Sequence, residues 1–270
     1  MTSKLLLAGC GKMGSALLAG WLEGGTDASS ITVVEPDKDT AGRLQTDLGV
    51  TVESSLDTVA DAPHPAVVVF AVKPQMMDAV APAYRRFVGP GTVFLTIAAG
   101  KTIGAFEHYL GDAAIVRSMP NTPAAVGRGI TVACANGHVT ADQRQVCDGL
   151  LKAVGAVAWV EDENLLDAVT ALSGSGPAYV FLFVESLTEA GIEAGLPADL
   201  ARQLARATVA GAGELLHQSP EDAAQLRQNV TSPGGTTAAA LDILMGESGW
   251  QSVINEAIEA ATRRSRELAD

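Results

Sequence analysis

The segment Val230-Thr231-Ser232-Pro233-Gly234-Gly235-Thr236-Thr237 brings hydroxyls and unhindered backbone N–H groups to one point of the chain. Ala238 to Leu244 follows as a strong helix-forming run, so the glycines stand where a helix begins and its first amides lack intrahelical partners. Such an end attracts a small anion, a carboxylate for example. A second glycine-rich helix start, Gly9-Cys10-Gly11-Lys12-Met13-Gly14, lies near the other end of the chain. It follows the apolar run ending at Ala8 and opens an amphipathic stretch, the context a dinucleotide fingerprint requires. Gly9 would allow the tight turn, Gly11 the approach of a pyrophosphate, and Gly14 close packing of helix on strand. A dinucleotide at one site and a carboxylated substrate at the other is the chemistry of a reductase. The alternative for the fingerprint is a strand-to-helix turn without a ligand.

Three further segments sit where such a cofactor and substrate would meet. Glu35 closes the second apolar run about twenty residues after the fingerprint, where a carboxylate accepts hydrogen bonds from a ribose and repels a 2′-phosphate. Lys38 could instead accommodate that phosphate, and Glu35 also reads as a solvated strand-end acid. Ala71-Val72-Lys73-Pro74 ends the run Val67 to Phe70 and places Lys73 beyond the carboxyl end of a parallel strand, although a plain surface lysine fits as well. Arg117-Ser118-Met119-Pro120-Asn121-Thr122-Pro123 is a proline-stiffened loop that could support a nicotinamide or merely connect two elements. Ser173-Gly174-Ser175-Gly176-Pro177 offers hydroxyls at a helix start, or a hinge and cap. It lacks the lysine of a P-loop and the strand-borne elbow of a hydrolase.

The elements that position these segments follow from the hydrophobic pattern. Up to about Glu161, short apolar runs alternate with amphipathic stretches: Lys4 to Ala8, Met13 to Leu22, Ile31 to Val34, Thr40 to Leu48, Val67 to Val72, Gln75 to Phe87, Val93 to Ile97. That alternation predicts a Rossmann-type α/β domain with a mainly parallel sheet covered on both faces. Further strands are expected at Ala114 to Arg117, Ile130 to Ala133 and Val157 to Val160, with a helix over Ala141 to Val154. Beyond Glu161 the chain turns to Ala-, Leu- and Glu-rich stretches, with helix starts marked by Pro177, Pro197, Pro220 and Pro233. Two domains are therefore expected, residues 1–161 and an all-α domain over residues 162–270. The helix from Pro177 to Ala194 is apolar around nearly its whole circumference, which calls for burial on all sides. A second copy of the chain, or the first domain of the same chain, would supply that cover.

Acidic residues outnumber basic ones 31 to 18, a formal net charge of −13 that argues against nucleic acid and anionic lipid as partners. The start Met1-Thr2-Ser3-Lys4 leads into an apolar run too short for a signal peptide, no run reaches membrane-spanning length, and a cytoplasmic location is expected. Cys10, Cys134 and Cys147, with four scattered histidines, show no metal-ligand spacing, so no metal site is expected.

Taken in order, the fingerprint, Val72-Lys73-Pro74, the Arg117 to Pro123 loop, Ser173 to Tyr179 and the Asn229 to Thr237 turn resemble the pyrroline-5-carboxylate reductase family over nearly the whole chain. The resemblance implies a C-terminal helical dimerisation domain, dimers frequently arranged into a decamer, and reduction of 1-pyrroline-5-carboxylate to L-proline by NADPH or NADH, the last step of proline biosynthesis. It implies cofactor contacts from Gly9, Gly11, Lys12, Met13, Gly14, Glu35, Ala71, Val72, Lys73, Pro74, Met119, Pro120 and Asn121. Substrate contacts would come from Ser175, Ser232, Gly234, Gly235 and Thr236, and the Thr237 hydroxyl would meet the imine nitrogen.

Two points set limits on the resemblance. Where many members carry an Asn-Arg pair suited to NADPH, this chain has Glu35-Pro36-Asp37-Lys38, so Glu35 leans the choice toward NADH. A related imine reductase or a β-hydroxyacid dehydrogenase is the nearest rival, but the latter's second-domain lysine has no counterpart, because no lysine follows Glu161. A non-catalytic nucleotide sensor is a rival of another class, and it would have no use for the glycine-rich turn at residues 231–237.

Overall fold

The computed structural model describes residues 4–61 and 63–269; the first three residues of the N-terminal reading, Met1 to Ser3, lie outside them, as do Ala62 and Asp270. The chain forms two compact units, one of Met1–Ser175 with Ala261–Asp270, the other of Gly176–Ala260.

The first unit is built on an eight-stranded sheet: β1 (Leu5–Ala8), β2 (Ile31–Val34), β3 (Thr51–Glu53), β4 (Val67–Phe70), β5 (Val93–Thr96), β6 (Ala114–Met119), β7 (Gly129–Ala135) and β8 (Gly155–Trp159). Their order is β3-β2-β1-β4-β5-β6-β7-β8. Every neighbouring pair is parallel except β6 with β7. β1 and β4 are buried along their whole length, which is why they read as unbroken apolar runs and not as alternating ones.

Helices α1 (Lys12–Glu23), α2 (Lys38–Leu48), α3 (Met77–Val80), α4 (Ile103–Leu110), α5 (Ala141–Lys152) and α6 (Leu165–Val169) belong to the same unit. Two cores lie on the sheet's two faces. One gathers Leu5, Leu7, Leu17, Trp21, Val67 and Val69. The other gathers Leu6, Val68, Phe70, Tyr84, Phe94 and Phe106, and Phe70 touches Tyr84 and Phe106 with ring centroids 5.1 and 5.4 Å apart.

The expected amphipathic helix over Gln75 to Phe87 is broken into a 3₁₀ turn at Pro74–Met76, the short α3, and a second 3₁₀ turn at Ala81–Phe87. Pro82 has no N–H to give an α-helical bond, and the tighter turn is the result. β6 also outruns its expected end at Arg117, because antiparallel pairing with β7 continues through Met119 opposite Val132.

The second unit consists of α7 (Gly176–Glu193), α8 (Ala198–Gln218), α9 (Ala223–Asn229) and α10 (Thr236–Leu244), together with the greater part of α11 (Trp250–Ala269). The sequence places a break at Ser173–Gly176, whereas a π turn at Thr170–Gly174 carries the helix on. Leu165–Glu193 thus becomes one helical stretch that is long and apolar enough, by length and composition, to cross a membrane, which corrects the sequence reading on that point. Val180, Phe181 and Leu182 on α7 are exposed in the single chain.

Candidate active site

The strand order reverses between β1 and β4, and in open α/β sheets ligands bind in the crevice beyond the carboxyl ends at such a point. Gly9 leaves β1 with φ +80°, a conformation L side chains rarely adopt, and a Cβ there would come within 2.7 Å of Val72 Cγ1. A Cβ on Gly14 would meet the Gly9 carbonyl at 2.9 Å and Ala71 at 3.2 Å, so its absence lets α1 sit directly on this turn. Gly11, by contrast, faces open space, and no side chain caps α1 there. Lys12 is exposed and Met13 half-buried behind it.

The carboxylate of Glu35 is held twice by backbone. Its Oε2 accepts the Cys10 N–H at 2.9 Å and its Oε1 the Asp37 N–H at 3.0 Å. Gly9, Cys10, Gly11, Glu35, Val72 and Lys73 line one cavity of about 470 Å³, within the range of small-molecule sites. Ala71 borders it too, while Pro74 begins the 3₁₀ turn beside it. Burial pushes the Cys10 thiol pKa up, a hydrogen bond with Ser15 opposes this, and the Glu35 charge adds to the rise, so the thiol is a neutral packing group. Ser54, Ser55 and Tyr84 also line the cavity and escaped the sequence reading, since the serines follow a strand of only three residues. An open glycine turn, a helix end without a cap and a fixed strand-end acid fit a nicotinamide dinucleotide.

Met119 ends β6 half-buried, and Pro120 and Asn121 behind it are buried. The Asn121 side-chain oxygen accepts the Ile130 N–H at 3.0 Å and so braces the loop. Arg117 is 5% exposed, and its Nη1 donates to Glu163 Oε1 at 2.7 Å, an atom that also accepts the Ile103 N–H at 2.8 Å. Glu163 was not singled out by its spacing, because its partner lies 46 positions away. Ser175 closes the π turn, donating its N–H to the Thr170 carbonyl at 2.8 Å.

In the second unit the turn before α10 has Gly234 at φ +70° and Gly235 as the N-cap, with no side-chain cap. The Gly235 N–H is committed to the Ser232 carbonyl at 3.0 Å, so this amide shapes the turn. The amides that follow, from Thr236 onward, form the open helix end. Ser232, Gly234 and Thr236 are exposed and Thr237 is half-hidden. An uncapped helix end with a hydroxyl inside its first turn suits a carboxylate bearing a second polar atom.

The family model for pyrroline-5-carboxylate reductase dimerisation matches residues 163–268, and that for coenzyme F420-dependent NADP oxidoreductases matches residues 4–100. A pyrroline-5-carboxylate reductase of Pseudomonas aeruginosa is 38% identical, the match covering 100% of this chain and 98% of the relative. The solved structure of a pyrroline-5-carboxylate reductase from Coxiella burnetii superposes with TM-score 0.93 at 34% identity, covering 100% of both chains. A Plasmodium falciparum pyrroline carboxylate reductase, solved with NADP bound, gives TM-score 0.83 at 31% identity over 99% of this chain and 98% of that one.

Proposed function

The chain belongs to the pyrroline-5-carboxylate reductase family, and on that premise we propose how its own residues carry out the reaction. It is an oxidoreductase of proline biosynthesis that uses a nicotinamide cofactor to reduce the C=N bond of 1-pyrroline-5-carboxylate. The cofactor supplies a hydride. The chain's part is to fix the substrate carboxylate, present one face of the imine, and steady the nitrogen as its charge changes.

The uncapped start of α10 carries the substrate assignment. Its first amides, with Gly234 and Gly235 shaping the turn, hold the carboxylate, and Ser232 and Ser175 add polar contacts. The Thr237 hydroxyl meets the imine nitrogen. A neutral hydroxyl suffices where the imine binds already protonated, since solvent has then supplied the proton. Thr237 therefore orients the ring more than it transfers a proton.

Residues 1–161 hold the cofactor through Gly9, Gly11, Lys12, Met13, Gly14, Ala71 to Pro74 and Met119 to Asn121. Glu35 favours NADH: a carboxylate already tied to two amides at the end of β2 is placed to accept from ribose hydroxyls and to oppose a 2′-phosphate. Residues 162–270 supply substrate contacts and self-association. The exposed apolar side chains of α7 pack against a second copy in preference to lipid, dimers assemble into decamers, and the enzyme works in the cytoplasm without nucleic acid.

The test is absorbance at 340 nm after adding 1-pyrroline-5-carboxylate to the protein with NADH, then with NADPH. Oxidation of NADH, faster than that of NADPH, is expected. No oxidation of either would leave only a nucleotide-binding role, and oxidation with a keto acid alone would point to a hydroxyacid dehydrogenase.

A further inference from the structure

Met119 and Gly174 are 55 residues apart in sequence and pressed together in the first unit. The three nearest atoms that a Cβ on Gly174 would meet all belong to Met119, with Cε at 2.4 Å and Cγ and Sδ at 3.8 Å. Gly174 does not adopt a positive φ, so its backbone would accept any side chain. What a side chain at this position would meet is the free end of the methionine.

The contact has a particular setting. Met119 is the last residue of β6, with the bonds of Arg117 to Glu163 and of Ser118 Oγ to the Thr96 carbonyl (2.9 Å) immediately before it. Gly174 is the last residue of the π turn whose closing bond comes from Ser175. An α-helical turn has one residue fewer per bonded ring, and single π turns are frequent at functional sites for the displacement they introduce. Here the extra residue brings a side-chain-free surface against the methionine methyl and sets Ser175 just beyond it.

We propose that Met119 and Gly174 form a positioning pair that fixes the cofactor-side end of β6 relative to Ser175, and so sets the alignment of hydride donor and imine. The proposal deepens the reductase reading and rests on it. Neither residue needs to touch the substrate. Because the crowded atom is the free end of a flexible side chain, a methyl group on Gly174 should turn Met119 aside without unfolding the protein.

The experiment compares wild type, Gly174→Ala, Met119→Ala and the double variant. Gly174→Ala is expected to lower kcat for pyrroline-5-carboxylate about tenfold, while the thermal midpoint stays within about 3 °C and the NADH Kd, from fluorescence titration, within about threefold. In the Met119→Ala background the same substitution should change kcat less than about twofold, since the clash has gone. In cofactor-free protein labelled at the methionine methyl carbons, the Met119 resonance, assigned by its loss in Met119→Ala, should shift in Gly174→Ala. In wild type it should shift again when NADH is added. Equal losses in both backgrounds, an unchanged kcat, or a Met119 resonance indifferent to Gly174→Ala and to NADH would overturn the pair while leaving the reductase reading intact. A wild type that oxidises neither cofactor with pyrroline-5-carboxylate would defeat that reading and the pair with it.

Discussion

The Glu35 carboxylate accepts the Cys10 N–H at 2.9 Å, so the acid immediately after β2 is tied to the glycine turn that follows β1. A carboxylate held by two amides keeps its position, and hydrogen bonds to a charged group are worth about 1.5 to 3 kcal/mol. Glu35→Ala should therefore weaken NADH binding about ten- to a hundredfold and raise the NADPH-to-NADH affinity ratio. Fluorescence titration of both cofactors measures this. A ratio that does not move would remove Glu35 from the choice of cofactor.

Thr237→Ala should lower kcat about tenfold or more and leave the NADH Kd unchanged, because in the proposed site the hydroxyl meets the imine and not the cofactor. Steady-state kinetics beside a binding titration separates the two effects. Unchanged turnover would exclude Thr237 from the mechanism.

The Arg117–Glu163 pair is buried on one side and about a quarter exposed on the other, with side-chain accessibilities of 6% and 27%. Glu163→Ala leaves the guanidinium buried without that partner and takes the acceptor from the Ile103 N–H. A loss of about 2 to 4 kcal/mol is expected, read as a lower denaturation midpoint in urea with an unchanged slope. A midpoint equal to that of wild type would show the pair to be structurally neutral.

Phe181 and Leu182 are 62% and 60% exposed on α7, so a charge there costs a single chain little. In an apolar interface between copies it costs a great deal. Phe181→Asp with Leu182→Asp should keep the helical circular dichroism and weaken self-association about a hundredfold or more, as measured by sedimentation velocity. An assembly of wild-type size would place the interface elsewhere.

Much of the first unit was legible because buried parallel strands leave unbroken apolar runs: Ile31 to Val34 is the observed β2, and the observed β4, Val67 to Phe70, lies within the expected run Val67 to Val72. β3 was missed because Thr51-Val52-Glu53 is three residues of edge strand with no buried position. α4 was missed because eight residues are too few to establish a helical period. The Glu35 position could be read from its distance to the fingerprint, but its tie to Cys10 could not, since that depends on β1 and β2 pairing side by side. Nor does local sequence reveal a π turn, which is defined by a single longer-range bond from Ser175 to Thr170. The Met119–Gly174 contact joins two segments that can each be read from sequence, but nothing local to either shows that they meet.

We propose that the open amino end of α10 grips the substrate carboxylate, and a crystal of the protein grown with NADH and soaked with L-proline will show where that group binds. Density for the proline carboxylate within hydrogen-bonding distance of the Thr236 backbone N–H, with the ring nitrogen beside the Thr237 hydroxyl, is the result expected. Proline bound with its carboxylate on other groups, and the turn at residues 232–237 empty, would contradict it.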